Sequence, residues 1–262
     1  MSGIQHLIAQ LADNNLAGFI LVLARVTPLF VIAPLFSSAI IPPHVKGIIA
    51  VGISVGLTPI ALHGQHIPTD PLTLGGLVIE GLLVGLAFSF TLAVLMAAVE
   101  SAGGILDVLS GFSYGQLINP LDNTETAVMA RFYGLVGTLI FLVIDGDAWT
   151  LKGLARTFTL VPLDGGPRLR SLLGGVEGAF ANVFVGALEV AAPVVIALLI
   201  TDVAFGVVSR VVPQLNIFAV GFPTKVAVTL LVAGASLPFA ANWINDQLST
   251  SVGAALGALH VA

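Results

Sequence analysis

The sequence has no cysteine, which excludes disulfides, thiolate nucleophiles and cysteine-based metal centres. Charge is scarce as well. Asp, Glu, Lys and Arg make up 9% of the 262 residues, against roughly 25% in soluble domains, whose folded surface has to be hydrated. The charge present sums to −5 and contains no basic run, so the footprint needed to hold a phosphate backbone is missing and nucleic acid is excluded as a partner. No G-x-x-x-x-G-K-[ST] phosphate loop occurs. What is plentiful is apolar: 57% of the residues are hydrophobic and the mean hydropathy is +1.06, so lipid or partner chains have to cover much of the surface. The amino-terminal MSGIQHLIAQLADNNLAG has no basic region and no small-residue cleavage pattern, and the first apolar span is expected to stay in the mature protein.

Six continuous apolar runs stand out: Leu16 to Phe36, Gly47 to Leu62, Leu74 to Val99, Ala127 to Ile144, Val176 to Val212, and Leu215 to Ala241. Crossing a hydrocarbon core of roughly 30 Å takes about 20 residues of helix. The runs do not alternate as barrel strands do, so the expected fold is an all-α integral membrane protein of about six long, kinked helices. The fifth run, at about 37 residues, would reach about 55 Å as one helix and has to tilt, project from the membrane, or kink at Pro193. Small residues four apart, as in Gly52/Gly56, Gly81/Gly85 and Gly253/Gly257, are candidates for close helix approach. Beyond Asn242, the residues Ile244, Leu248, Val252, Ala255 and Leu259 fall on one helical stripe, which predicts an amphipathic tail helix, either interfacial or packed on a partner.

Six charged residues lie inside the apolar runs: Arg25, Glu80, Arg131, Glu189, Asp202 and Lys225. At roughly 3 kcal/mol each, inserting them costs about 18 kcal/mol. They are therefore expected to pair, within or between chains, or to face other polypeptide; a proton or ion relay is the alternative use. Lys152, Arg156, Arg168 and Arg170 share one connection, with Lys46 and Arg210 opposite, and this balance does not fix an orientation.

Gly111-Phe112-Ser113-Tyr114-Gly115 matches the G-x-S-x-G pattern of a serine nucleophile. A hydrolase elbow needs a strand before it and a histidine later in the chain, and only His260 follows. His63 and His66 have no acidic or cysteine ligand beside them and read as a solvated loop, so no metal or other cofactor is expected. The long stretch from Glu100 to Thr126 combines Gly103, Gly104, Gly111 and Gly115 with apolar Leu109, Phe112, Tyr114, Leu117 and Ile118. Mobile backbone carrying apolar side chains suits either a plug that closes a pore or a re-entrant loop that only packs.

The segment Val212-Pro213-Gln214-Leu215-Asn216-Ile217-Phe218-Ala219-Val220-Gly221-Phe222-Pro223-Thr224-Lys225 closely resembles the signature of the FliR family, the flagellar relatives of the T component of the type III secretion export apparatus. Supporting matches are Arg25 with Pro28, Ala33-Pro34, Ile41-Pro42 with Lys46, and Gly111-Phe112-Ser113 through Asn119-Pro120. Gly221-Phe222-Pro223 is more similar to the flagellar branch than to the injectisome branch. The resemblance implies a non-enzymatic subunit of a helical FliP-FliQ-FliR gate in the bacterial inner membrane, within the flagellar basal body. Residues 1–175 would be a FliP-like part holding a central plug loop (100–126), and 176–262 a FliQ-like helix pair with the amphipathic tail. It further implies FlhB, FlhA and the basal-body MS ring as neighbours and unfolded export substrates as cargo. The plug would fall on Gly111, Phe112, Ser113, Tyr114, Gly115, Gln116, Leu117, Ile118, Asn119 and Pro120, of which Tyr114 and Gln116 depart from many relatives. The rival classes on the residues alone are an intramembrane serine protease and a secondary transporter.

Overall fold

The computed structural model describes residues 2–38, 40–62, 65, 67–68, 70–113, 127–165, 169–214 and 216–258. Among them the secondary structure is helical throughout: α1 Ser2–Ile32, α2 Pro43–Ala61, α3 Pro71–Ser110, α4 Val128–Val143, α5 Gly146–Leu160, α6 Leu169–Val211, α7 Ile217–Ala235 and α8 Leu237–Ala258. Five helices are long and apolar enough to cross a membrane, and the broken pair α4 and α5 would make a sixth span. The expected class of helical membrane protein holds. Proline stands at the first position of α2 and of α3, where its missing amide hydrogen costs nothing. Asp70 then caps α3, accepting from the backbone amide of Thr73 at 3.1 Å and from its hydroxyl at 3.0 Å. The Thr73 bonds hold its carboxyl below the usual range.

Three boundaries differ from the sequence reading. α3 continues ten residues beyond Glu100, into the stretch read as a connection, because tertiary packing of Gly103 outweighs the roughly 1 kcal/mol helix penalty of a glycine. α5 forms where only a link was expected: its buried face of Thr150, Gly153, Leu154, Thr157 and Phe158 is too short and too polar to register as an apolar run. The last run breaks at Ser236, so that α7 and the tail helix α8 are separate. The predicted tail stripe is buried at Ile244, Leu248, Val252 and Ala255, while Leu259 lies outside the described residues. α6 runs unbroken across Pro193. Of the three glycine pairs, only Gly81/Gly85 touches a neighbouring helix in this chain; both other pairs face open space.

The chain divides into two compact units. The first comprises residues 1–93, 145–180 and 248–262, and the second residues 94–144 and 181–247. In the first, α1 packs on α2 and α2 on α5, and Gly85 of α3 lies directly against the carbonyl of Arg25. A side chain at position 85 would collide with backbone, so this approach requires glycine. Arg25 itself is 2% exposed. Its Nη1 donates to the carbonyls of Thr157 (3.1 Å) and Val161 (2.8 Å) at the end of α5, and its guanidinium sits 4.7 Å from the Phe158 ring centroid. The Thr157 carbonyl also accepts from the Val161 amide at 2.9 Å, whereas the Val161 carbonyl lies past the helical ladder; both sit at the negative pole of the helix, so a buried cation there is stabilised without a carboxylate.

In the second unit, α6 presents Ala187, Val190, Ala191, Val194 and Leu198 on one face, at helical spacing. Val190, Ala191, Val194 and Leu198 pack with Val99, Ala102 and Leu106 of α3, Met129 and Tyr133 of α4, Ala233 of α7, and Ala240 and Ile244 of α8. The opposite face of α6 exposes Phe184, Leu188, Ile196, Ile200, Val203 and Val207.

If the contacts to α5 hold the first unit, Arg25→Met, which keeps the aliphatic stem, removes two charge-assisted bonds and leaves the Val161 carbonyl without its donor, should cost about 2–3 kcal/mol. Thermal unfolding of the purified protein in detergent measures this. An unshifted midpoint would show that Arg25 does not fasten α5.

Candidate functional site

The segment bearing the expected plug leaves α3 at Gly111, whose φ of 91° is a left-handed conformation that favours glycine. Gly111, Phe112 and Ser113 form the turn. Phe112 packs against the core of the second unit, and the Ser113 amide donates to the Asp107 carbonyl at 3.2 Å. Tyr114, Gly115, Gln116, Leu117, Ile118, Asn119 and Pro120 lie outside the described residues, as do His63 and His66. The turn follows a helix and not a strand, so the serine-nucleophile pattern lacks the elbow that would expose its hydroxyl.

The chain is described again from Ala127, and there the fold places a residue that the sequence reading missed. Asp107, 3% exposed, accepts from the backbone amides of Met129 at 2.9 Å and Ala130 at 3.0 Å. These are orphan donors of the first turn of α4, whose own N-cap, Ala127, offers no side-chain bond. Anionic oxygens on amides at a helix N-terminus make strong, charge-assisted bonds. Gly103, one turn earlier on the same face of α3, lies directly against the backbone of Met129 and Ala130. A side chain there would push α4 out of reach of the short Asp107 carboxylate. The cue in the sequence was an acid four residues after a glycine, but both fell in a stretch read as loop.

The charge-bearing residues of the apolar runs go to different places. Lys225 Nζ pairs with Asp202 Oδ1 at 2.6 Å, joining α7 to α6, and makes a longer contact of 3.5 Å to the Leu109 carbonyl in the last turn of α3. Asp202 is 48% exposed, so in water the pair would contribute about 0–1 kcal/mol. Glu189 is exposed on α6 and accepts from the Trp243 indole at 2.7 Å. Glu80 is half-buried on α3 and Arg131 is exposed on α4. In the signature segment, Pro213 and Gln214 form the exposed turn after α6. Asn216 caps α7 by accepting from the Ala219 amide at 3.2 Å. Gly221 is buried, and Phe222 and Pro223 face outward. Lys46 donates to the Ser37 carbonyl at 2.7 Å, closing the turn between α1 and α2.

The signature segment therefore caps α7 and carries the lysine that reaches the end of α3, and comparison with known proteins agrees with its resemblance. Residues 16–251 match the family model described as bacterial export proteins, family 1. The flagellar biosynthetic protein FliR of Escherichia coli K12 is 30% identical over 227 residues, covering 87% of each chain. FliR of Bacillus subtilis is 29% identical over 82% of this chain and 83% of its own. The surface presentation of antigens protein SpaR of Salmonella typhimurium is 28% identical over 87% and 83%. With its long apolar helices and a family match that spans nearly all of them, the chain belongs to family 1 of the bacterial export proteins, and is a membrane component of the flagellar and type III export machinery.

Proposed function

We propose that this chain is a sealing subunit of the flagellar protein-export gate in the bacterial inner membrane. In this reading the connection from Gly111 to Pro120 plugs the conduit through which unfolded flagellar subunits pass, and Phe112, Tyr114, Leu117 and Ile118 supply the apolar seal. The observation that carries it is the Asp107 clasp: a 22-residue separation in sequence is closed to hydrogen-bond distance, so the connection departs from and returns to one fixed point. A hydrophobic constriction stops water and ions and remains displaceable, and a closed loop rooted on rigid helices can provide one. The role is mechanical, not catalytic.

Residues 1–175 are assigned a FliP-like role and 176–262 a FliQ-like role, in an assembly with FliP and FliQ and beside FlhA, FlhB and the MS ring. The exposed apolar faces of α6 and α7 support assembly with other subunits, since they are much larger than a lone soluble surface would carry.

Deleting residues 111–120 should make cells that assemble the gate leak ions or small solutes. Permeability equal to wild type in such cells would remove the plug. Affinity purification of the tagged chain should bring down FliP and FliQ in fixed ratio; a stable, monodisperse chain without them would contradict membership in the gate.

A further inference from the structure

The end of α3 meets α4 and α7 directly, and α6 through α7. Asp107 carries two contacts at its carboxylate, from the Met129 and Ala130 amides of α4, and two at its carbonyl, from the Ser113 amide just beyond the helix and, at 3.4 Å, from the Ser110 hydroxyl. Two residues on, the Leu109 carbonyl meets Lys225 of α7, whose ammonium is shared with Asp202 of α6. Ordinary helix caps are local, reaching two or three residues along the chain. Asp107 acts across 22 residues and Lys225 across 116, so neither is explained by the needs of its own helix.

Building on the gate reading above, we infer that Asp107 and Lys225 are positioning residues that form a two-point latch. Asp107 fastens the exit of α3 to the entry of α4. Lys225 fastens that same exit to α6 and α7, so a displacement of α6 or α7 is transmitted to the roots of the α3–α4 connection. The chemistry selects these residue types. Only an acceptor with two oxygens satisfies two adjacent amides, and only a cation with several donors serves a carboxylate and a helix-terminal carbonyl together. Arginine can make both of the Lys225 contacts; an exchange of the two charges restores the ion pair and leaves the Leu109 carbonyl facing a carboxylate.

Because the chain has no cysteine, two introduced thiols define a spin-label pair in the assembled complex. Val108 and Val128, both exposed, report the α3–α4 clasp, and Val108 with exposed Leu231 reports the tie to α7. Electron–electron double resonance should give one narrow distance for each pair. Asp107→Ala should lose the narrow 108–128 distance, with Asp107→Asn intermediate, and Asn serves alone if the alanine variant fails to assemble. Lys225→Arg should keep the narrow 108–231 distance. Lys225→Met should lose it, and Lys225→Asp combined with Asp202→Lys should not regain it.

A narrow 108–128 distance persisting in both Asp107 variants would overturn the clasp. Recovery by the charge exchange would overturn the Leu109 tie, since the ion pair alone would then suffice. These distances are independent of leakage in the 111–120 deletion, so failure of the latch and failure of the gate reading are told apart.

Discussion

A carbonyl or amide at the end of a helix has no water to turn to in an apolar surrounding, and this fold meets that demand with ionised side chains carried by other segments. Arg25 closes the end of α5, Asp107 the beginning of α4, Lys225 reaches the last turn of α3, and Lys46 holds the turn after α1. In the three helix-end cases the sign of the charge matches the pole it meets, cation at the carbonyl end and anion at the amide end. Arg25 and Asp107 therefore find compensation without a counter-ion. Of the six anticipated from the sequence, Asp202 and Lys225 form a direct pair, whereas Arg25 is neutralised by helix ends and an aromatic face.

Such contacts demand close backbones, because a short carboxylate cannot bridge an ordinary interhelical gap of 8–10 Å. Gly103 supplies that proximity for Asp107, and Gly85 does the same where α3 lies on the backbone of Arg25. In both places a glycine and a charged residue act together: one removes the side chain that would separate the helices, the other collects the polar groups brought near. Gly103, one of the glycines that made the end of α3 look like loop, is thus part of why it is a helix at all.

Much of the architecture was legible from run length and period. Four amphipathic positions of the tail are buried as their spacing implied, and the signature segment pointed to Lys225 and the α7 cap. What escaped notice was non-local. Asp107 looked like one more polar residue in a glycine-rich stretch, since the amides it serves are 22 residues away. α5 escaped because it buries threonines, whose hydroxyls return to carbonyls of their own helix: Thr150 to Gly146 and Thr157 to Leu154. A hydropathy reading scores such residues as polar although their hydrogen bonds are already spent. Conversely, Gly52/Gly56 and Gly253/Gly257 have the spacing of packing motifs and touch nothing among the described residues, since spacing specifies a face but not what it meets.

The faces left open bear on what surrounds the chain. The apolar stretch Leu173–Val211 is 39 residues long, about 58 Å at 1.5 Å per residue. Even at a 40° tilt, the upper end of what membrane helices show, it spans about 45 Å along the bilayer normal, against about 30 Å of hydrocarbon. The excess, about 1.8 helical turns at each end, still exposes large apolar side chains, Leu173 at one end and Val207 and Val211 at the other. Moving the helix along the normal only exchanges which end is uncovered. The same outward face holds Glu189, which accepts from the Trp243 indole, and a carboxylate is costly against acyl chains. A surface too long for the bilayer and interrupted by an anion is one that other polypeptide covers, as membership in an export machine requires.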